Sequence, residues 1–260
     1  MIGAIIGDIV GSPYEFANTS DIRFPLFSKR SSYTDDSICT VAVADALVRG
    51  SDFGSTLREW CRRYPNPMGA YGCSFNAWLH SNAPRPYNSY GNGAAMRVAA
   101  VGWAFDTEAQ TLRAAMASAA PTHNHVEGLI GASTVARGIF ILRDMIEPTF
   151  NCRDIDSLLE SSYGMDWERH LPAPGVFDET CQGCVPLAFA ICCEANGFED
   201  ALREAVVYGG DSDTLGAIVG ALAEARWGIP EDIKRQALQL LPPDMLEVIG
   251  KFSDKFGYTY

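Results

Sequence analysis

The sequence predicts an all-α protein, and three features of the chain support that fold class. Apolar residues recur at the three- and four-residue intervals of a helix along almost the whole chain. Sustained two-residue alternation, the pattern of a half-buried strand, is almost absent. The glycine, proline and asparagine breaks between the periodic segments are too short to serve as interdomain linkers. We therefore expect residues 1–260 to form a single compact helical domain.

The helices follow in chain order from this periodicity. A segment that begins at Thr34 continues with apolar residues until Gly50 ends it. Proline is tolerated in a first turn, so Pro230 opens a later helix and a last one follows Pro242. The other predicted helices cover residues 51–63, 108–120, 126–146, 155–163, 186–196, 199–208 and 214–227.

Glycine recurs at helical spacing in two segments, at Gly3, Gly7 and Gly11 and again at Gly216 and Gly220. A glycine inside a helix costs about 1 kcal/mol relative to alanine, so these stripes need a compensating interaction. Close approach of one helix to another is the ordinary explanation, and it predicts that both segments lie near the centre of the molecule.

Composition and charge limit the classes of function. Hydrophobic residues make up 47% of the chain and the formal net charge is −12. So negative a surface repels phosphates, which disfavours general binding to nucleic acid or to anionic membranes. No run is long enough to span a bilayer, and the apolar start carries Asp8 without the basic residues of a signal peptide. We expect a cytoplasmic monomer.

The eight cysteines are typical of reduced thiols that act as small hydrophobic residues, because no export signal is predicted. Cys181 and Cys184 form a single CxxC pair without a second pair of ligands. A zinc site there is therefore the disfavoured alternative.

Two acidic clusters are the most informative features of the sequence. Each combines two carboxylates with a threonine hydroxyl at the start of a strongly apolar helix. Helix capping alone would explain either cluster taken singly, because side-chain oxygens accept from the free amides of a first turn. The clusters are Thr34-Asp35-Asp36 and Asp211-Ser212-Asp213-Thr214.

Considered together, the clusters favour a metal site over capping. Apolar helices start in the interior, where four converging carboxylates repel one another unless a cation neutralises them. Ligand sets of oxygen alone suit magnesium or manganese, and four carboxylates balance the charge of two dications. The residues therefore predict a binuclear, oxygen-ligated metal site.

Five motifs add a resemblance to a known family. In chain order they are GDIVGSPYEF at 7–16, YTDDS at 33–37, GNGAAMR at 91–97, THNHVEG at 122–128 and GGDSDT at 209–214. With these motifs the chain resembles the ADP-ribosylglycohydrolase family over nearly its whole length. The TDD and GGDSDT elements together are specific evidence for this family, whereas the GNG run alone would be weak evidence.

The resemblance implies an orthogonal all-α fold with two magnesium ions between the helices, or manganese in their place. It implies hydrolysis of the N- or O-glycosidic bond between ADP-ribose and a protein side chain or small molecule. Glu15 matches a glutamate that lies beside the metals in the branch acting on serine-linked ADP-ribose. The implied metal ligands are Thr34, Asp35, Asp36, Asp211, Asp213 and Thr214, and the implied substrate loops contain Gly91, Asn92, Gly93 and His123.

The residues themselves leave alternatives open at several of these positions. Glu15 follows a local turn and could be a surface carboxylate, and His123 could be a polar loop residue near a helix start. The 91–93 turn could be plain helix punctuation or an anion cradle of exposed amides.

Cleavage at the anomeric carbon passes through an oxocarbenium-like state and requires a carboxylate to manage the proton. We assign that acid/base role to Glu15, with Asp36 as the alternative. Arginine, serine, O-acetyl and nucleobase acceptors all stay open. Two other functions compete: a non-catalytic ADP-ribose-binding or crystallin-like structural relative, and metal-dependent hydrolysis of another substrate such as a phosphoester.

Overall fold

The computed structural model describes residues 1–145 and 152–260, and no β-strand occurs among them. Two isolated bridges pair Thr34 with Met68 and Gly91 with Thr180. Short 3₁₀ helices cover Ser12–Tyr14 and Trp167–His170. The α-helices of the described ranges are α1 (Ile2–Gly11), α2 (Asp35–Arg49), α3 (Phe53–Arg63), α4 (Cys73–His80), α5 (Gly93–Met96), α6 (Ala99–Ala104), α7 (Glu108–Ala119), α8 (Val126–Leu142), α9 (Cys152–Tyr163), α10 (Cys181–Glu194), α11 (Phe198–Tyr208), α12 (Ser212–Trp227), α13 (Glu231–Leu238) and α14 (Pro243–Phe256). The prediction of an all-α fold is confirmed.

Local capping explains where several helices begin and end. Thr34 caps α2, and Gly50 ends it in the left-handed conformation with φ of 64°. The Asp52 side chain accepts a hydrogen bond from Ser55 N and starts α3 two residues later than predicted. Thr180 likewise accepts from Gly183 N, so α10 begins before the predicted start at residue 186.

Other helices differ from those predicted from the sequence. Pro186 lies inside α10, where the Thr180 cap and the surrounding core outweigh its disruptive effect. Helix α8 ends at Leu142 rather than at 146, a position outside the described residues. Helices α4, α5 and α6 were not predicted, because they are too short to show a clear periodicity.

Helices α1 and α12 form the centre of the fold. Every residue of α1 is buried, and so are all but the last two residues of α12. A Cβ built on Gly7 would lie 1.8 Å from the Gly216 carbonyl oxygen, and one on Gly3 would lie 2.1 Å from that of Gly220. The predicted close approach is confirmed, and the order of these contacts makes the two helices antiparallel.

The antiparallel contact determines what lies near the site. The carboxyl end of α1 meets the amino end of α12, since a Cβ on Gly11 would lie 2.1 Å from the Ser212 carbonyl oxygen. Asp8 and Glu15 are thereby brought beside the second acidic cluster.

The cysteines form no metal site within the described residues. All eight are free, and the candidate metal-binding groups found there contain only carboxylates. Cys181 instead donates its thiol hydrogen to Gly91 O at 3.0 Å. Within the two described ranges, no helix combines the length and the apolar character that a membrane crossing requires.

Candidate functional site

Asp8 lies on buried helix α1, and its carboxylate fixes the first turn of α2. Oδ1 accepts from the Thr34 hydroxyl at 2.8 Å, while Oδ2 accepts from the Thr34 and Ser37 amides at 2.9 and 3.1 Å. The Ser37 hydroxyl also donates to Oδ2. Asp8 is not among the site residues predicted from the sequence. Its only signal was a lone carboxylate in an otherwise apolar helix.

A first carboxylate group joins three helices. Asp8, Asp36 and Asp213 each offer one carboxylate oxygen, and these three atoms lie within 4.8 Å of one another. The Thr214 hydroxyl donates to Asp36 Oδ2 at 3.3 Å, whereas Asp36 Oδ1 is buried without a hydrogen-bond partner. A buried oxygen of this kind is costly to leave unpaired, which indicates a place for a positive ligand.

A second carboxylate group shares Asp213 with the first. Oxygens of Glu15, Asp211 and Asp213 lie within 4.8 Å of one another. Asn92 Nδ2 donates to Asp211 Oδ2 at 2.6 Å and so ties the 91–93 turn to this group. Glu15 lies against Gly69, where a Cβ would be 2.8 Å from Glu15 Oε2 and the backbone φ is 80°. Only glycine suits that position.

Burial raises the pKa of the carboxyl groups in both clusters. It raises the pKa of Asp8 to about 6, although the hydrogen bonds from Ser37 and Thr34 oppose the shift. Burial, reinforced by the Asp211 and Asp8 carboxylates, raises the pKa of Glu15 to about 7. The pKa values of Asp35, Asp36 and Asp213 also lie well above the usual range of a carboxyl group. Burial is the main cause, and repulsion from neighbouring carboxylates adds to it.

This donor set fits divalent cations. Carboxylate and hydroxyl oxygens are the ligands that magnesium and manganese prefer, and no nitrogen or sulfur atom belongs to either group. Bound dications would neutralise the mutual repulsion and give the unpartnered Asp36 Oδ1 a ligand. The adjacency of the two groups through Asp213 is compatible with two ions.

Apart from Asp8, the residues of both groups line a cavity of about 670 Å³, a volume typical of a small-molecule site. The 91–93 turn and His123 form part of its wall. The amides of Gly91 and Asn92 already donate to Ser89 Oγ at 3.1 Å and to Glu179 O at 2.7 Å. An anion at this turn would therefore depend on other donors.

The His123 ring becomes such a donor in the tautomer that carries the proton on Nε2. Burial, assisted by the Arg97 cation, lowers the pKa of His123 well below its usual range, so the ring is neutral at pH 7. Arg97 donates to the Thr122 hydroxyl at 2.8 Å, and that hydroxyl lies 2.7 Å from His123 Nδ1. A hydroxyl that donates to Nδ1 leaves the ring N–H on Nε2, which faces Gly93.

Five of the six residues predicted as metal ligands lie on the cavity wall, namely Asp35, Asp36, Asp211, Asp213 and Thr214. Thr34 is fully buried beneath them with its hydroxyl donating to Asp8. Glu15, Gly91, Asn92, Gly93 and His123 lie on the same wall. The fold thus brings together side chains that are up to about 200 positions apart in the sequence, a proximity that spacing alone cannot show.

Helix capping accounts for only part of the two clusters. Thr34 does cap α2, because its hydroxyl accepts from Asp36 N at 3.2 Å. Asp211 occupies the capping position of α12, yet its side chain makes no capping hydrogen bond. Its carboxylate is turned toward Asn92 and the cavity instead.

The chain is similar to known proteins in three comparisons. The model of a family described as ADP-ribosylglycohydrolase matches residues 1–258. The ADP-ribosyl-[dinitrogen reductase] glycohydrolase of Rhodospirillum rubrum is 26% identical over 261 residues, which cover 88% of this chain and 85% of the relative. A solved structure of an "ADP-ribosylglycohydrolase-related protein complex" has a TM-score of 0.73 at 21% identity, covering 98% of this chain and 95% of that one. At that identity the structural likeness establishes the fold alone.

Proposed function

Because the chain belongs to the ADP-ribosylglycohydrolase family, we propose that it hydrolyses the bond between ADP-ribose and an acceptor with the aid of two magnesium ions. Manganese is the alternative ion. The acceptor is a protein side chain or a small molecule, joined through nitrogen or oxygen. One observation carries the proposal: Asp213 belongs to two carboxylate groups, and every member of these groups except Asp8 lines the same cavity.

Six residues would hold the ions in this proposal. Asp36 supplies the unpartnered Oδ1, and Asp213 lies within reach of both groups. The Thr34 hydroxyl donates to Asp8 and accepts from Asp36 N, which leaves one lone pair available. The full proposed set is Thr34, Asp35, Asp36, Asp211, Asp213 and Thr214. Bound ions would supply positive charge for the ribose hydroxyls and lower the pKa of a bound water.

Glu15 is the proposed acid/base residue. Its half-buried carboxyl group reaches the cavity, where a carboxyl group can exchange a proton with a bound substrate. Asp36 suits this role less well. The residue is 2% exposed, its Oδ2 accepts from the Thr214 hydroxyl, and its Oδ1 is buried without a hydrogen-bond partner.

Other residues of the cavity wall are proposed to bind ADP-ribose. His123 Nε2 would donate to an oxygen of ADP-ribose beside Gly93, while Asn92 holds Asp211 in place. Gly91 keeps this part of the wall free of a side chain. Our further expectations, a cytoplasmic monomer without general nucleic-acid binding, stay predictions.

A substrate panel tests the proposed function. ADP-ribose linked through arginine, serine, acetyl and nucleobase groups would be incubated with magnesium or with a chelator, and free ADP-ribose measured by mass spectrometry. We expect release only with the metal, loss of release in Asp213→Asn, and no loss in Asp254→Asn, which alters an exposed carboxylate on α14. Full release in the chelator would contradict the metal-dependent mechanism. Failure to cleave any linkage with magnesium would favour a non-catalytic or phosphoester-cleaving relative.

A further inference from the structure

Two phenylalanines form an exposed aromatic pair at the edge of the cavity. Phe16 is 75% exposed and Phe177 is 43% exposed, and both line the cavity beside Glu15. Their ring centroids lie 6.0 Å apart with 12° between the ring planes, so the two rings stack nearly parallel, and their exposure leaves aromatic surface open beside the cavity. Exposed apolar surface of this kind, continuous with a binding cavity, is typical of a recognition site.

The pair is fixed to the loop that carries Asp211. Asn18 Nδ2 donates to Gly210 O at 3.1 Å, and Asn18 Oδ1 accepts from Gly210 N at 2.9 Å. From the other side, a Cβ built on Gly210 would lie 2.4 Å from Val176 O. The segments that carry Phe16 and Phe177 therefore meet at one residue, directly before Asp211.

The position of the pair relates it to the acceptor rather than to ADP-ribose. If Glu15 exchanges the proton at the scissile bond, the acceptor atom lies at Glu15, and the surface beside Glu15 contacts the rest of the acceptor. Phe16 is the next residue in the chain. Glu179, two residues beyond Phe177, also lines the cavity and adds negative charge to this edge.

We propose that the Phe16–Phe177 pair selects acceptors whose linked group is flat, delocalised and rich in N–H donors. A guanidinium group and a nucleobase share this chemistry: both stack on an aromatic face and can donate to the Glu15 and Glu179 carboxylates. A serine side chain has no flat group to stack on the rings, and an acetyl ester, although planar, has no N–H group to donate to these carboxylates. This inference rests on the proposed function, and it runs against the serine-linked branch indicated by the match at Glu15.

Substitutions that remove the ring but keep the apolar bulk test the inference. In Phe16→Leu and Phe177→Leu, kcat/KM for arginine-linked or nucleobase-linked ADP-ribose should fall about tenfold, the scale of one aromatic stacking contact. The serine-linked and acetyl-linked values should not change, and Phe16→Tyr should keep the wild-type values. Met165→Leu, at a 79% exposed residue outside the cavity, is the matched control. Calorimetry should show unchanged affinity for free ADP-ribose, which lacks the acceptor.

The outcomes separate this inference from the proposed function. An equal loss on every substrate, a loss of affinity for free ADP-ribose, or wild-type activity confined to serine-linked or acetyl-linked substrates would overturn the role of the pair while leaving the hydrolase intact. A wild-type protein that cleaves no substrate of the panel would instead overturn the proposed function. The arginine and nucleobase arms distinguish the two sources of the flat group.

Discussion

At the scale of single residues, the buried carboxylate of Asp8 connects helix α1 to the start of helix α2. It accepts hydrogen bonds from the Thr34 and Ser37 amides and from both of their hydroxyls. These bonds fix the turn that carries Asp35 and Asp36. Because its own oxygens are already occupied by four donors, Asp8 suits a positioning role better than the role of a metal ligand.

Asp8→Asn should weaken metal binding without unfolding the protein. Asparagine keeps one acceptor but replaces the other with an N–H₂ group that faces the donors on α2. We expect magnesium affinity, measured by calorimetry, to fall about 10–100-fold, as for other residues that orient metal ligands. The control is Asp45→Asn, which alters a buried carboxylate of α2 outside the site. Asp45 accepts from Trp60 Nε1 at 2.7 Å, and its substitution should leave the magnesium affinity unchanged. Equal affinity in the wild type and Asp8→Asn would contradict the positioning role.

Glu15→Gln separates chemistry from binding at the same scale. Glutamine keeps the shape and much of the hydrogen bonding of Glu15 but cannot exchange protons. Single-turnover rates should fall by about two to four orders of magnitude, the usual contribution of a general acid or base. Affinity for ADP-ribose should change far less. Lost affinity with an intact chemical step would make Glu15 a positioning residue and return the acid/base role to Asp36.

At the scale of helices, the contact of α1 with α12 sets the geometry of the site. The two backbones are in direct contact along the glycine stripe. A larger residue there would overlap backbone atoms, which cannot move aside as a flexible side chain can. Helix α1 brings Asp8, and α12 brings Asp213. The distance between the two axes therefore controls the first carboxylate group as well as the stability of the core.

The same substitution at two glycines should have opposite effects. In Gly7→Ala the new Cβ would overlap Gly216 O, so we expect a loss of about 3 kcal/mol or more in the free energy of unfolding. In Gly250→Ala, within α14, nothing lies within 4 Å of the new Cβ, and alanine should stabilise the helix by about 0.5–1 kcal/mol. Urea denaturation measures both changes. A Gly7→Ala variant as stable as the wild type would refute the close contact of α1 with α12.

At the scale of the whole molecule, the buried acidic residues link stability to pH and to metal. The ordinary pKa of a carboxyl group lies near 4, and the folded protein raises that of Asp8 to about 6 and that of Glu15 to about 7. Between about pH 4 and about pH 7, these groups bind more protons in the folded state than in the unfolded state. The stability that these groups contribute to the metal-free protein is therefore present at low pH and is lost as the pH rises toward 7.

Metal should reverse this dependence, because protons and dications compete for the same oxygens. We expect magnesium to raise Tm more at about pH 7.5 than at about pH 5.5, and a hundredfold excess over Kd to add about 2.7 kcal/mol of stability. Thermal melts with magnesium or with a chelator at the two pH values measure the effect. Asp213→Asn should abolish most of the magnesium response. An equal response at both pH values, or none, would count against buried carboxylates as the metal ligands.

The sequence by itself determined the fold class, most helices and the identity of the acidic clusters. Helical periodicity and capping depend on neighbours a few positions apart, so the segments from Thr34 to Gly50 and around Gly216 could be recognised without a structure. The glycine stripes indicated a close helix contact for the same local reason. What spacing could not supply was the partner helix of each stripe.

Only the tertiary structure decided which distant groups meet. In the sequence, Asp8 is an isolated carboxylate in an apolar helix, and nothing relates Phe16 to Phe177. The role of Asp8 depends on the contact of α1 with the first turn of α2, and that of the phenylalanine pair depends on the meeting of two loops at Gly210. Such contacts are set by core packing over the whole chain, and packing between residues more than a hundred positions apart leaves no trace in local periodicity.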